Sequence, residues 1–268
     1  MRLDCDLALA EGYKSPSQRA RVLTEAWCTR ELYCPACDSE RVEQASANTQ
    51  AIDFRCPQCD QPYQLKSGTG WNQQRIVDAA YSSMIAAIRQ DRTPNLLVMQ
   101  YSPAWQVQNL MLIPKFFFTE SAIEKRKPLA RTARRAGWVG CNILLTHIPP
   151  DGRIRMVADG TALEPSHVRS DFRRVEPLSK LRGGVRGWTL DVLTLLRGLG
   201  KREFSLEEVY AFEQELAALH PQNRNVRPKI RQQLQVLRDL GFVRFGKLGQ
   251  YSLTGMQGAP RSSPIITD

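Results

Sequence analysis

Residues 53–66 read DFRCPQCDQPYQLK, and this stretch decides how the N-terminal part of the chain folds. It carries the second of two CPxC motifs, whose four cysteines are Cys34, Cys37, Cys56 and Cys59. Each CxxC motif makes a tight turn that directs two thiolates towards one point, so two such turns complete a closed tetrahedral site. The spacing predicts a structural zinc ion within a zinc ribbon over residues 33–60. A redox-active dithiol pair is the alternative, and the two matched turns argue against it.

We predict two short strands flanking the second CPxC turn, and their antiparallel pairing would bring three polar residues together. Asp53 lies on the first strand, and Gln64 and Lys66 share one face of the second because side chains alternate along a strand. A carboxylate anchors Mg²⁺ for phosphodiester hydrolysis, and a lysine positions or deprotonates the attacking water. We therefore predict a nuclease centre with Asp53, Gln64 and Lys66 as catalytic residues. Its Mg²⁺ is assigned to Asp53, Gln64 and Leu65.

This arrangement resembles the PD-(D/E)XK nucleases, whose motif is an acidic residue, a variable gap and then (D/E)-x-K. Gln64 departs from that pattern, because an amide oxygen ligates Mg²⁺ without contributing charge, and weaker metal binding is the expected consequence. Glu25, in the first predicted helix, is a further candidate for an acidic ligand or for a group that supports one. A solvated glutamate on the helix surface is the alternative.

The chain as a whole is basic, with a formal net charge of +10 over 268 residues. A surplus of this size favours a polyanionic partner, above all nucleic acid. The hydrophobic content of 42% suffices for two modest domains or one large domain. The seven cysteines, an odd number, do not fit a secreted disulfide framework. No apolar run suits a signal peptide or a membrane span, so we interpret the protein as cytoplasmic with no membrane partner.

The predicted elements alternate between helix and strand, which is typical of an α/β core. In the N-terminal part we predict helices at 14–31 and 72–90 and strands at 50–55, 62–67, 95–101, 105–113, 140–145 and 153–158. The second helix rests on the i+4 recurrence of Ile76, Ala80, Met84 and Ile88. A stretch rich in Gly, Arg and Lys, residues 176–187, marks the expected domain boundary.

A basic loop at residues 124–138, EKRKPLARTARRAGW, is predicted to contact DNA. The candidates for DNA contacts in this loop are Arg126, Arg131, Arg134, Arg135 and Trp138. The tryptophan could stack on a base or contact an apolar methyl group. A solvated basic surface and a core tryptophan are the alternatives.

The C-terminal part has the pattern of a winged helix, with predicted helices at 188–199, 205–219 and 226–240. Ser205 and Glu208 form the sequence pattern of a capping box at the start of the second helix. The third helix and the wing carry the candidate DNA contacts, which are Arg227, Lys229, Arg231, Gln232, Gln235 and Lys247. Arg and Gln on an exposed helix face suit base edges in the major groove. A winged helix used for protein contacts is the alternative.

Longer spans of the chain resemble the DpnI family of methyl-directed restriction endonucleases. The resemblance rests on RVLTEAW, YCPAC, YQLKS, RKPLARTARRAGWVGCNI and KIRQQLQVLRD, and it extends from about residue 10 to the end of the wing. It implies a PD-(D/E)XK catalytic domain with an embedded zinc ribbon at 1–181 and a winged-helix DNA-binding domain at 182–253. We expect a disordered tail at 254–268.

The resemblance also implies an activity, namely a type II (type IIM) endonuclease that cleaves double-stranded DNA at GATC sites with N6-methylated adenine. By position, Asp53 and Lys66 match the family's catalytic acid and lysine, Trp138 matches its methyl-sensing tryptophan, and Gln64 stands in place of a glutamate. We expect structural Zn²⁺, catalytic Mg²⁺ and a monomer in the absence of DNA. One alternative is a methyladenine-binding protein that is catalytically weak or inactive because of Gln64. Another is a transcription regulator, which would leave Lys66 and the basic loop unexplained.

Overall fold

The structure is a computed structural model, and it describes residues 1–46, 49, 51–70, 72, 74–247 and 249–255. The chain divides into two compact units, one from Met1 to Gly187 and one from Trp188 onward. None of the helices in the described part is long and apolar enough to cross a lipid bilayer. Most of the predicted disordered tail, residues 256–268, lies outside the described residues. Thr254, at its start, donates its backbone N–H to the carbonyl of Phe242 at 2.9 Å.

The first unit is built on two sheets. Its strands are β1 (Glu43–Gln44), β2 (Phe54–Arg55), β3 (Pro62–Gly68), β4 (Arg75–Ala80), β5 (Asn95–Tyr101), β6 (Val107–Ile113), β7 (Ile123–Lys125), β8 (Gly140–Leu144), β9 (Ile154–Ala158) and β10 (Thr161–Ala162). Seven strands form a mixed sheet in the order β1-β2-β3-β5-β6-β9-β10, and a three-stranded sheet has the order β4-β8-β7. This alternation of strands and helices confirms the predicted α/β class.

In the described part of the chain, three α-helices lie wholly within the first unit, namely α1 (Pro16–Glu31), α2 (Tyr81–Arg89) and α3 (Pro165–Val175). The first confirms the helix predicted at 14–31, with Pro16 in its first turn, where a missing backbone N–H costs nothing. This helix buries Leu23 and Trp27 completely. Its Thr24 hydroxyl lies 3.1 Å from the hydroxyl of Ser67 at the end of β3, so the helix covers the strand that carries Gln64 and Lys66.

Strand β5 lies at the centre of the large sheet and confirms the buried strand predicted at 95–101. It pairs parallel with β3 and antiparallel with β6. Leu96, Leu97 and Met99 on this strand are almost fully buried. Because parallel neighbours need a crossover connection, the chain passes through β4 and α2 between β3 and β5.

The single helix predicted at 72–90 is wrong, because its first half is strand β4 and only Tyr81–Arg89 is helical. Burial along β4 alternates, with Ile76 and Asp78 inside and Val77 exposed. The strand pairs antiparallel with β8, so that Asp78 lies opposite Cys141. Residues four positions apart lie on one face of a strand as well as on one face of a helix. Pairing with the distant strand β8 selects the strand for residues 75–80.

The strand predicted at 50–55 is shorter than expected, since β2 spans only Phe54–Arg55. Asp53 lies immediately before this strand rather than within it. It still continues the ladder, because its backbone N–H donates to the carbonyl of Tyr63 at 2.8 Å. Gln50, at the start of the predicted strand, lies outside the described residues.

The C-terminal part contains four α-helices and a small antiparallel sheet. The helices are α4 (Gly183–Gly198), α5 (Leu206–Tyr210), α6 (Glu213–Leu219) and α7 (Val226–Asp239), and the strands are β11 (Glu203–Ser205), β12 (Val243–Phe245) and β13 (Gln250–Leu253). The sheet order is β11-β13-β12. The predicted capping box of Ser205 and Glu208 is confirmed. The single helix predicted at 205–219 is divided into α5 and α6, separated by Ala211 and Phe212.

Candidate active site and metal centre

The four cysteines of the two CPxC motifs form one cluster. The Sγ atoms of Cys34 and Cys59 lie 3.6 Å apart, those of Cys37 and Cys56 lie 3.5 Å apart, and all four lie within 4.8 Å of one another. A tetrahedral zinc site with Zn–S bonds of about 2.3 Å places its sulfurs about 3.8 Å apart. The cluster therefore has the donor set and the dimensions to hold one zinc ion.

Groups around the cluster hold its two turns in place. Burial raises the pKa of the Cys56 thiol. Hydrogen bonds from the backbone amides of Cys59 and Gln58 outweigh this effect and lower the pKa to about 7. This favours the thiolate that a metal requires at Cys56, whereas burial raises the pKa of Cys34 to about 11 and holds that of Cys59 well above its usual range. The guanidinium of Arg169 on α3 donates to the carbonyl oxygens of Cys34 and Ser39 at 3.2 and 2.9 Å, which fastens the first turn to that helix.

Asp53 is attached directly to the strand that carries the other predicted catalytic residues. Its Oδ2 accepts a hydrogen bond from the backbone N–H of Leu65 at 2.7 Å. The antiparallel pairing of β2 with β3 aligns Phe54 with Tyr63 and so sets this register. The predicted convergence of the two strands is therefore present in the structure, and the carboxylate lies beside the Gln64-Leu65-Lys66 segment.

The predicted catalytic residues lie in one cleft of about 600 Å³. Its lining includes Asp53, Gln64, Leu65 and Lys66 from the ribbon strands, Arg21, Thr24 and Glu25 from α1, and Ser67 and Tyr101. No described residue hydrogen-bonds the side-chain amide of Gln64, which is only partly buried, so this amide is available to a ligand. Asp53 and β3 thus bring one carboxylate, one amide and one ammonium group to the cleft.

Glu25 brings a second carboxylate to the cleft. Its Oε1 accepts a hydrogen bond from Arg21 at 2.7 Å, and its Oε2 accepts one from the side chain of Gln44 at 3.3 Å. The glutamate side chain is 17% exposed, which is less than expected for a freely solvated residue on a helix surface. Arg21 is largely exposed, and its ion pair with Glu25 is therefore weak enough to exchange for another cation.

The donor atoms in the cleft are of the type that Mg²⁺ binds. Their total negative charge suits the ion less well. Asp53, Gln64 and the backbone carbonyl of Leu65 offer oxygen atoms, which are the ligands that Mg²⁺ prefers. Only Asp53 among the three is an anion. Glu25 would add a second negative charge from the other wall of the cleft.

Lys66 has a partner that the sequence interpretation missed. Its Nζ lies 2.7 Å from Oδ1 of Asp78 on β4, and the aspartate side chain is 5% exposed. Asp78 was hidden within the helix wrongly predicted at 72–90. The signal that could have revealed it is the two-residue spacing of Ile76 and Asp78, which places both side chains on one face of a strand.

Trp138 lies neither in the core nor free in solvent. The guanidinium carbon of Arg135 lies 5.1 Å from its ring centroid, and the tryptophan is half-buried. Its ring packs against Gly140, since a Cβ atom at that glycine would lie 2.8 Å from two ring carbons. Arg126, Arg131 and the other arginines of the basic loop are exposed.

The residues predicted to contact DNA in the C-terminal domain differ in whether their side chains already bind another residue of the protein. Arg227 on α7 pairs with Glu213 at 2.7 Å and lies over the ring of Tyr210. Lys229 donates to Gln232 at 2.8 Å. Exposed residues whose side chains form no hydrogen bond or ion pair with any described residue are Arg231, Gln235 and Lys247.

These features together define a basic protein of the nucleic-acid-binding class, with a cysteine cluster that can hold a metal ion and a polar cleft beside it. Residues 1–181 match the DpnI family, described as the Dam-replacing family, and residues 184–253 match its C-terminal Dam-replacing HTH domain. The chain therefore belongs to the DpnI family, whose members are restriction endonucleases, and it carries a DNA-binding HTH domain. This confirms the resemblance found in the sequence.

Proposed function

We propose that the protein is a type IIM restriction endonuclease that cleaves double-stranded DNA at GATC sites carrying N6-methyladenine, by Mg²⁺-dependent hydrolysis. One observation carries the proposal. The carboxylate of Asp53 is hydrogen-bonded to Leu65, which places it in one cleft with Gln64 and Lys66. This is the juxtaposition of acid and lysine that phosphodiester hydrolysis needs, within a chain of the DpnI family.

We assign residues 1–181 to a catalytic domain of the PD-(D/E)XK type. The order of a helix, an antiparallel strand pair bearing the acid and the lysine, and a crossover to parallel β5 supports this assignment. We assign residues 182–253 to a winged helix, supported by four helices and a small antiparallel sheet with the connection between β12 and β13 as the wing. We propose that the protein is a monomer in the absence of DNA.

Hydrolysis consumes one water, whose oxygen bonds to phosphorus while the bond from phosphorus to the leaving oxygen breaks. When bound in the cleft, Mg²⁺ supplies Lewis-acid polarisation of the scissile phosphate. Asp53, Gln64 and Leu65 would hold the ion. Lys66 would orient the attacking water and stabilise the negative charge that develops on the phosphate.

We assign recognition of DNA to the exposed basic residues of both domains, and structural Zn²⁺ to the four cysteines. Trp138 would contact the methyl group of the modified adenine, since its half-buried ring lies within the basic loop. Arg231 and Gln235 on α7 point outward and suit phosphate and base edges in the major groove.

The proposal is tested by incubating the full chain and Mg²⁺ with two preparations of one plasmid, one methylated at the adenine of GATC and one unmethylated. We expect discrete fragments from the methylated plasmid alone. Asp53→Asn should abolish cutting, whereas Asp159→Asn, at an exposed turn whose left-handed φ of 48° suits asparagine, should not. Equal cutting of both plasmids would overturn the methyl specificity, and full activity of Asp53→Asn would remove Asp53 from the mechanism.

A second candidate function is a methyladenine-binding protein without cleavage activity, favoured by the absence of charge on Gln64. It predicts methyl-dependent DNA binding, no cutting by the wild-type chain, and cutting by Gln64→Glu. The presence of both Asp53 and Lys66 in one cleft favours the endonuclease.

A further inference from the structure

Asp78 is a buried carboxylate whose partner reaches into the proposed active site. Its Oδ1 lies 2.7 Å from Nζ of Lys66, and the exposed fractions of the two side chains are 5% and 31%. The lysine lines the cleft, whereas Asp78 is not among its lining residues. The ion pair therefore links a buried residue of the three-stranded sheet to a residue that lines the cleft.

Burying a carboxylate is costly, so a protein retains one where its charge is paired. Among the described residues, Lys66 is the cation within ion-pairing distance of Asp78. The strand holding Asp78 is itself fixed, because β4 pairs with β8 and Cys141 lies directly opposite Asp78. The aspartate is thus a rigid anchor, while lysine has a flexible four-carbon side chain.

We propose that Asp78 is a positioning residue that holds the ammonium group of Lys66 at one place in the cleft, beside the carboxylate of Asp53. The inference rests on the proposed nuclease function and extends it to a residue outside the D…QxK motif. Its physical basis is pre-organisation, since a catalytic group must be kept close to its productive position by neighbours that are themselves locked.

A role as a further Mg²⁺ ligand is the competing explanation for a carboxylate so near the cleft. The pairing of Oδ1 with Lys66 and the burial of Asp78 argue against it. The two roles differ in their dependence on metal concentration. Loss of a ligand is compensated by more Mg²⁺, whereas loss of positioning lowers the rate even at saturating Mg²⁺.

The test uses Asp78→Asn, which preserves shape and removes charge. Single-turnover cleavage of methylated DNA is measured at saturating enzyme and Mg²⁺, together with DNA affinity in Ca²⁺. Misplacement of a catalytic group by about 1 Å costs about 100-fold in rate, so we expect a loss of that order with unchanged affinity.

Asp151→Asn is the matched control, because Asp151 is equally buried and ion-paired, to Arg174 at 2.7 Å, without lining the cleft. This control should cut at the wild-type rate.

An unchanged rate in Asp78→Asn, an equal loss in the control, or recovery at higher Mg²⁺ would overturn the inference. If the wild-type chain does not cut, the same comparison is made in the Gln64→Glu background. Failure of both parent proteins to cut would overturn the proposed function, and the positioning role with it. Failure of the Asp78 comparison alone leaves that function intact.

A thermal-unfolding cycle tests the contact itself without any cleavage. Lys66→Met leaves the buried Asp78 unpaired and should lower the unfolding temperature. Adding Asp78→Asn to that variant should recover part of the loss. Strictly additive effects of the two substitutions would overturn the contact, and with it the positioning role.

Discussion

The hydroxyl oxygen of Tyr63 lies 3.1 Å from the Sγ atom of Cys34, so the cysteine cluster touches β3, the strand that carries Gln64 and Lys66. Tyr63 is fully buried, and burial holds the pKa of its phenol well above its usual range. The hydroxyl therefore remains protonated and can donate to the sulfur. The cysteine cluster therefore contacts the strand that carries two of the proposed catalytic residues, and the stability of the cluster should determine the geometry of the proposed active site.

Loss of the metal should consequently cost activity as well as stability. We expect about one zinc per chain in the purified protein, and Cys34→Ser should lose it, unfold at a lower temperature and fail to cut DNA. Binding of structural zinc contributes about 10–16 kcal/mol in zinc-finger peptides, so the effect on a small unit should be large.

The measurements are metal analysis, thermal unfolding and plasmid cleavage. Cys5→Ser serves as the control, since Cys5 is a buried cysteine outside the cluster, and it should retain its zinc. A zinc-free wild-type protein that is folded and active would contradict this prediction.

The cysteine cluster and the D…QxK segment could be predicted from sequence because their geometry is local. Two CxxC turns direct their own thiolates, and the β2–β3 pairing follows from the short connection through Cys56 and Cys59. Period-two alternation then places Gln64 and Lys66 on one face. None of these steps depends on a distant part of the chain.

Asp78 and Trp138 could not be placed in the same way, for two different reasons. Whether residues 75–80 are strand or helix depends on β8, which follows after two further strands of the large sheet. The surroundings of Trp138 depend on a contact with Gly140 that no spacing rule indicates. Composition shows only that the loop is basic and carries a tryptophan.

Gln64→Glu should strengthen the metal site. The substitution adds a second formal negative charge to a donor set that has one, so the Mg²⁺ concentration for half-maximal cutting should fall about 10-fold or more, which corresponds to about 1.4 kcal/mol. Magnesium titrations of single-turnover cleavage measure the shift. Gln106→Glu, at an exposed glutamine outside the cleft, should leave the titration unchanged. If the wild type reached half-maximal cutting at the same or a lower Mg²⁺ concentration than Gln64→Glu, the assignment of Gln64 as a ligand would be contradicted.

Gly140→Ala should disturb the proposed methyl contact. The added Cβ would lie 2.8 Å from two carbons of the Trp138 ring, so the ring has to move. Discrimination of one small apolar group is worth about 10- to 200-fold, and we expect the preference for methylated over unmethylated plasmid to fall by at least about 10-fold.

Cleavage rates on the two plasmids and tryptophan fluorescence follow this change. Gly12→Ala is the matched control, because a Cβ at Gly12 meets nothing within 4 Å. Unaltered discrimination in a Gly140→Ala protein whose tryptophan fluorescence has shifted would remove Trp138 from methyl recognition.

Residues on α7 should contribute unequally to DNA affinity, although Arg227 and Arg231 lie one helical turn apart and both are exposed. Arg227 is already paired with Glu213, so DNA must compete with an internal carboxylate for its charge. Arg231 forms no ion pair with any described residue and is free for a phosphate.

If Arg231 contacts a DNA phosphate, Arg231→Ala should weaken binding and reduce the slope of log affinity against log salt concentration by about 1. Arg227→Ala should change the slope by less. Salt titrations of binding to methylated DNA in Ca²⁺ separate the two variants, and a larger effect at Arg227 would place the DNA against the Glu213 side of the helix instead.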